Sequence, residues 1–309
     1  MTTADGKQID LSVIVVSFSD AATLSHCLDA LYQEKSGAAV EVIVVRDAER
    51  MHSDVQSVLQ QMKEKHPHLS VLEAQRGTTV PNMRKEGLKA AGGEIIALIE
   101  DDCVVSLDWC SAQLAAHRGQ CAGAGGPVVP DQFRKPLDWG YFFCEYARFM
   151  PPFEGDVSAL PGNNMSYKRA ALNKLIESGQ IDNGFYEVFI NSSLLAAGEH
   201  LHADPALAVR NTHSWSRAAA FSVPFHHGRG YAGMRFSGAP LKRILYLFLS
   251  FALPALQTLR LCRTVIARKG YALQLYSAIP AIVIFYTSWS AGEFMGYLLG
   301  PGTSLERWR

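Results

Sequence analysis

Three consecutive acids, Glu100-Asp101-Asp102, follow an apolar run that ends at Ile99. Carboxylates gathered at a strand end suit a hard divalent cation, Mg²⁺ or Mn²⁺, which can also neutralise a diphosphate. Pleating sends alternate side chains the same way, so Glu100 and Asp102 are expected to share a face. A solvated acidic turn is the plain alternative for an isolated triplet. Two other strand ends also carry chemistry, Ser17-Phe18-Ser19 and Arg46-Asp47. Further on, Phe225-His-His-Gly-Arg-Gly-Tyr231 reads as a Gly-rich loop of positive potential, with Arg229 able to grip a diphosphate bidentately. An ordinary surface loop is the alternative there. His213 stands alone, and a lone histidine is more often structural than a ligand.

These groups need elements to hold them. Leu11–Ser17 is a β-branched apolar run of the kind a buried parallel strand takes. A helix over 21–31 follows, then strand 40–45, a polar helix over 51–65, strand 70–73, a helix over 81–91 and strand 94–99. Strands alternating with helices predict an α/β fold with a doubly wound, mostly parallel, Rossmann-like sheet. Ligands in such sheets bind beyond the carboxyl ends of the strands, which is where the charged residues lie. Gly123–Pro130 reads as a strand between tight turns. Residues 131–160 are rich in aromatics and fit either a packed cluster or a wall for a sugar or lipid-linked acceptor.

Taken in order, these segments resemble the family 2 glycosyltransferases of GT-A fold over about residues 10–235. Leu11–Ser19 is similar to the family's first strand and nucleotide-contacting turn, which implies Ser17 and Phe18 as donor contacts. Val42-Ile-Val-Val-Arg-Asp47 resembles the second strand, which usually ends in two acids; Arg46 replaces the first, and Asp47 is the implied base-recognition group. Pro81-Asn-Met-Arg84-Lys-Glu-Gly87 resembles the segment whose arginine approaches the donor, with Lys85 where an asparagine is usual. Glu100-Asp101-Asp102 is similar to the DxD motif with Glu for the first Asp. The resemblance implies Glu100 and Asp102, with His213, as metal ligands for Mg²⁺ or Mn²⁺, and Asp101 and Arg229 as further donor contacts. Pro161-Gly-Asn-Asn-Met-Ser166 resembles the loop near donor sugar and acceptor, so Asn163 and Asn164 are expected there. The family's general base sits in a Glu-Asp pair about eleven residues before an Ala-Gly; counting back from Ala197-Gly198 gives Tyr186-Glu187, which makes Glu187 the expected base.

The 29 Lys+Arg and 29 Asp+Glu cancel to zero formal charge, which argues against nucleic acid as a partner. The balance hides a split. After residue 240 eight basic residues face two acids, a net +6 that leaves −6 on residues 1–240. The same tail is apolar: Ile244–Leu259 has no charge but is short of a bilayer span, and Gly270–Gly292 is long enough, with Pro280 inside. Arg260–Lys269 between them disfavours a simple hairpin. Interfacial or re-entrant helices against anionic lipid are therefore expected, with a buried helical pair as the alternative. Met1–Asp10 lacks the apolar core of a secretory signal, and six scattered cysteines read as free thiols.

The expected protein thus has a GT-A domain over 1–240 and a C-terminal membrane-association region over 241–309. It is expected at the cytoplasmic face of the inner membrane, as an inverting enzyme of polysaccharide biosynthesis. It would take a nucleotide-diphosphate sugar and a lipid-linked or saccharide acceptor. The rivals are a nucleotidyltransferase, whose Gly-rich basic loop after the first strand Val16–Asp20 lacks, and a non-catalytic membrane adaptor, which the departures at Arg46, Lys85, Glu100 and Tyr186 would suit.

Overall fold

A computed structural model describes residues 8–33, 37–235 and 240–307. Most of the Met1–Asp10 stretch read for a signal, the residues just before position 240, and Arg309 lie outside the described residues. The chain forms two compact units, one within 1–131 and 149–212, the other within 132–148 and 213–309. This division differs from a cut at residue 240, because the helices over 136–146 and 219–235 pack with the C-terminal ones.

In the first unit, elements alternate as β1 (Leu11–Ser17), α1 (Ala21–Gln33), β2 (Val40–Asp47), α2 (Ser53–Lys65), β3 (Leu69–Ala74), α3 (Val80–Ala90) and β4 (Ile95–Glu100). After them come β5 (Cys103–Val105), α4 (Trp109–Ala116), β6 (Gly123–Gly125) and β7 (Val128–Pro130). Every residue of β1 is buried, because it lies between parallel β2 and parallel β4. Such a strand needs an unbroken apolar run rather than alternation. With α5 (Pro136–Tyr146) belonging to the second unit, the first closes with β8 (Gly155–Val157), β9 (Asn164–Lys168), α6 (Arg169–Glu177), α7 (Glu187–Ala196), β10 (Leu201–Ala203) and β11 (Val209–Asn211). The main sheet runs β3-β2-β1-β4-β9-β6-β10-β8, and β5-β11-β7 form a small second sheet. The four strands β1–β4 are mutually parallel, whereas β9 runs antiparallel to both β4 and β6. Before β11 the chain makes a 3-10 turn, Pro205–Leu207, capped by Asp204.

In the second unit α11 (Ala272–Leu299) is the central helix, packed by α5, α8 (Ala219–Arg235), α9 (Pro240–Leu249) and α10 (Leu253–Ala267). The segment 225–231 is not a loop; it lies inside α8. Its glycines serve close approach. A Cβ on Gly228 would collide with the carbonyl oxygen of Trp289, and one on Gly292 with that of Phe225. The two backbones therefore touch through reciprocal glycines, as small residues permit. The aromatic run resolves the same way: Tyr141, Phe142 and Phe143 of α5 are buried, with Tyr141 stacked on Trp215 at 4.1 Å and donating its hydroxyl to the Ala220 carbonyl. These three aromatics are packing. In the tail, Pro254 sits in the first turn of α10, where its missing N–H costs nothing.

The buried link between α4 and β9 makes one property measurable. His117 lies against Ser166, Nε2 to Oγ 2.7 Å, and the serine hydroxyl donates to Gln113 at 2.6 Å. Burial, with Lys168 assisting, pushes the imidazole down to about 4. The unfolded chain binds that proton at a higher pH than the folded one, so stability is complete above about pH 6.5 and drains as pH falls towards 4. The loss should be on the order of 3 kcal/mol, read from denaturant unfolding across that range. His117→Asn should flatten the slope, and an unchanged slope would remove His117 as its source.

Candidate active site

All the strand-end chemistry of the first unit gathers at the carboxyl edge of β1, β2 and β4. β4 stops at Glu100 and Asp101-Asp102 form a turn, so pleat alternation does not run through the triplet. Its three acids go to three different partners.

Asp101 is fully buried and turns onto the end of β1. Its Oδ2 accepts from the Ser17 hydroxyl at 2.7 Å and from the Phe18 and Ser19 backbone N–H groups at 3.0 Å, while Oδ1 accepts from the Ser19 hydroxyl at 2.8 Å. Burial raises its carboxyl to about 6, against the lowering effect of these donors. Arg46 completes the knot. It is almost completely buried, lies 3.7 Å from Asp101, and donates to Ser17 Oγ at 2.6 Å, the Ser19 carbonyl at 2.7 Å and the Arg50 carbonyl at 2.9 Å. Arg50 holds the Phe18 carbonyl at 2.6 Å. The Ser17-Phe18-Ser19 turn is therefore fixed from beneath, with Phe18 half-buried above it. Asp101 and Ser17, expected as donor contacts, are spent inside this knot.

Asp47 is also nearly inaccessible. It caps the turn after β2 through Glu49 N–H at 2.9 Å and accepts from Gly77 N–H at 3.0 Å, linking two strand-end loops.

Glu100 goes to Arg84. The Arg84 guanidinium, 4% exposed, is held on three sides: Nη1 to Glu187 Oε2 at 2.7 Å, Nη2 to Glu100 Oε1 at 2.9 Å, and Nη2 to the Gly162 carbonyl at 2.9 Å. Burial works against the arginine's charge, but Glu187 and Glu100 outweigh it and hold it above its ordinary value. Burial pushes Glu100 up to about 8, with Arg84 opposing and the neighbouring acids adding. Glu187 opens α7, where the helix dipole favours a carboxylate. Three features fix that helix start. Gly184 takes φ 119°, which admits few side chains; Phe185 is buried and donates its N–H to the Pro81 carbonyl at 2.8 Å; and Lys85 binds the Asp182 carbonyl at 2.8 Å. One turn on, Asn191 accepts from the Tyr167 hydroxyl at 2.7 Å. Thus α3 grips the start of α7 through Pro81, Arg84 and Lys85 together.

The loop before β9 splits its two asparagines. Asn164 is structural: its amide donates to the Leu207 and Gly126 carbonyls and its oxygen accepts from the Trp109 indole. Asn163 is equally buried, yet neither its amide nitrogen nor its oxygen has a hydrogen-bond partner. His213 and Arg229 belong to the second unit. His213 lies edge-on to Trp215 at 4.5 Å, and Arg229, within α8, donates to the Gly300 carbonyl at the end of α11 at 3.2 Å.

Among the described residues no three His, Cys, Asp or Glu side chains converge as a ready-made metal cage. Of the expected set, Glu100 and Asp102 lie in the first unit and His213 in the second. Asp102 accepts from the Cys103 thiol at Oδ1, 3.4 Å, and its carbonyl accepts from Thr212. A carboxylate oxygen is a hard donor of the kind that a Mg²⁺ or Mn²⁺ ion with a bound diphosphate takes.

The sequence profile of glycosyl transferase family 2 matches residues 12–176, more than half of the chain. The chain belongs to that family. Its fold is GT-A, as in solved structures that share little sequence with it. The mannosyltransferase PcManGT from Pyrobaculum calidifontis, in complex with GDP-Man and Mn²⁺, aligns with a TM-score of 0.52 at 18% identity over 96% of this chain and 86% of that one. TarS 1-349 from S. aureus, in complex with UDP-GlcNAc, aligns with a TM-score of 0.54 at 14% identity over 93% and 91%. No curated protein matches the chain. Membership ties the chain to glycosyl transfer.

Sequence reasoning missed the role of Arg46. A cation where an acid is usual, one residue from a buried strand end, signals a buried acidic partner, and Asp101 is that partner. Arg46→Met should leave Asp101 buried without its cation and the Ser19 and Arg50 carbonyls without a donor, destabilising the fold by roughly 2–4 kcal/mol. Urea unfolding measures this, and a loss near zero would show the knot to be dispensable.

Proposed function

We propose that this chain is an inverting, metal-dependent glycosyltransferase, with Glu187 as the general base. The observation that carries the reading is the meeting of Glu187 with Glu100, through one buried guanidinium, at the strand edge that bears Asp102. Nucleotide-diphosphate sugars are the donor class, in keeping with the GDP-Man and UDP-GlcNAc of the two structural relatives. Phe18, on its braced turn, offers a ring to the base. Asp102 would hold Mg²⁺ or Mn²⁺, which when bound offsets the charge of the diphosphate. Glu187 takes the proton from the acceptor hydroxyl as that oxygen bonds to the anomeric carbon. The bond from that carbon to the phosphate oxygen breaks on the opposite face, and its electron pair leaves with the nucleoside diphosphate. Asn163, with its buried amide unpartnered, suits a sugar hydroxyl that both gives and takes a hydrogen bond.

The same reading sets the enzyme at the cytoplasmic face of the inner membrane, with a lipid-linked or saccharide acceptor. Two helical stretches, Pro240–Ala267 and Ala272–Leu299, have the length and composition to cross a membrane. On α9 the residues Leu241, Ile244, Leu245, Phe248 and Leu249 are exposed at helical spacing, while Arg260, Arg263 and Lys269 are exposed on and beyond α10. An apolar stripe with neighbouring cations fits an anionic lipid surface.

A panel of nucleotide sugars with Mn²⁺ or Mg²⁺, read as released nucleoside diphosphate, tests the activity. Glu187→Gln should lower kcat by about a hundredfold or more while nucleotide binding persists, and Asp102→Asn should lose metal-dependent nucleotide binding. A Glu187→Gln enzyme with unchanged kcat would remove it as the base. In flotation, the protein should rise with vesicles of phosphatidylglycerol and phosphatidylethanolamine and less with phosphatidylcholine alone; protein left at the bottom in both would refute the membrane surface.

A further inference from the structure

We propose that Glu100 is a positioning residue rather than a metal ligand: it holds Arg84, and Arg84 holds Glu187 where it meets the acceptor. The inference deepens the reading of Glu187 as base and rests on it.

Glu100 reaches Arg84 Nη2 at 2.9 Å, and Glu187 reaches Nη1 of the same guanidinium at 2.7 Å. The Gly162 carbonyl takes the remaining direction of Nη2. A planar fork with acceptors on both outer nitrogens cannot rotate without breaking one of them, so Glu100 fixes the plane in which Glu187 is offered its bond. A Cβ at Gly162 would sit 3.1 Å from Glu187 Cδ and 3.2 Å from Arg84 Nη2, so the glycine leaves the pair the space it occupies.

Metal affinity distinguishes this role from metal ligation. Shortening Glu100 to Asp withdraws the carboxylate by about 1.5 Å, which opens the 2.9 Å contact with Arg84 beyond ion-pair range. A metal ligand shortened in this way would also lose its ion, whereas a residue that only holds Arg84 loses turnover and leaves Mn²⁺ affinity unchanged. The Arg84 role demands the longer acid, and Glu187 at the other end of the guanidinium is also a glutamate.

The test uses full-length protein in detergent, with three readouts on Glu100→Gln, Glu100→Asp, Glu187→Gln and Asp102→Asn. Mn²⁺ titrations followed by electron paramagnetic resonance, alone and with UDP or GDP, should give both Glu100 variants the wild-type affinity within threefold, while Asp102→Asn loses tenfold or more. In turnover, both Glu100 variants should lower kcat at least tenfold with the donor KM within threefold, and Glu100→Asp should not rescue. The Tm losses of Glu100→Gln and Glu187→Gln should fall short of additive in the double variant, because the two acids share Arg84 without touching. A Mn²⁺ loss in Glu100→Gln matching that of Asp102→Asn would overturn the proposal, as would full activity in Glu100→Asp or additive Tm losses. A wild type that binds Mn²⁺ and nucleotide yet transfers no sugar would sink the transferase reading separately, leaving the Mn²⁺ and Tm results to decide the role of Glu100.

Discussion

A guanidinium buried at the carboxyl edge of a parallel sheet imposes its needs on everything around it. Arg84 cannot shed its proton, so the fold must supply acceptors in the plane of the fork. It supplies three, from elements far apart in sequence: the end of β4, the turn before β9 and the first residue of α7. Each is therefore held to within hydrogen-bond tolerance of the others, and the start of α7 gains a register that packing alone would leave looser. The apolar contacts of α3 against β1 and β2 carry the arginine to this place. Its neighbours Pro81 and Lys85 then bind the backbone of the segment it faces, so one helix turn sets the geometry of the Glu187 carboxylate.

A second buried cation does the same for the turn after β1. Arg46 and Asp101 each lie where a lone charge would be costly, and each satisfies the other through Ser17. The result is a turn, Ser17-Phe18-Ser19, whose polar atoms are used internally and whose aromatic ring is what remains to present. Departures from the family pattern at Arg46, Lys85 and Glu100 looked in sequence like erosion of a site. In the fold each is engaged: Arg46 with Asp101, Lys85 with the Asp182 carbonyl, Glu100 with Arg84. A scaffold that had lost its chemistry would have no need for these replacements to interlock, which weighs against the adaptor reading.

The strands and helices of the first hundred residues were legible because a doubly wound sheet writes itself plainly: apolar runs for buried strands, amphipathic stretches between them. The strand ends were legible as loaded edges. Which way each acid turned was not. Pleat alternation placed Glu100 and Asp102 on one face, but the strand stops at Glu100, and beyond a strand end the period of two no longer applies. The glycines of 225–231 misled for a related reason. Composition marks glycine as loop, whereas in α8 it marks a helix that must touch α11 backbone to backbone, and only the partner helix reveals the difference. Asn163 and Asn164 are adjacent and chemically identical; one is locked by Trp109, Leu207 and Gly126 and the other has no partner, a distinction that exists only in three dimensions.

The zero net charge is best understood through where the charges are spent. In the first unit Asp101 is matched by Arg46, while Glu100 and Glu187 converge on one guanidinium, that of Arg84. Burial pushes Glu100 up to about 8, so part of the acid gathered at the strand edge is held near pH 7 as neutral carboxyl rather than as charge. The charge counted along the sequence therefore differs from the charge that the folded edge carries.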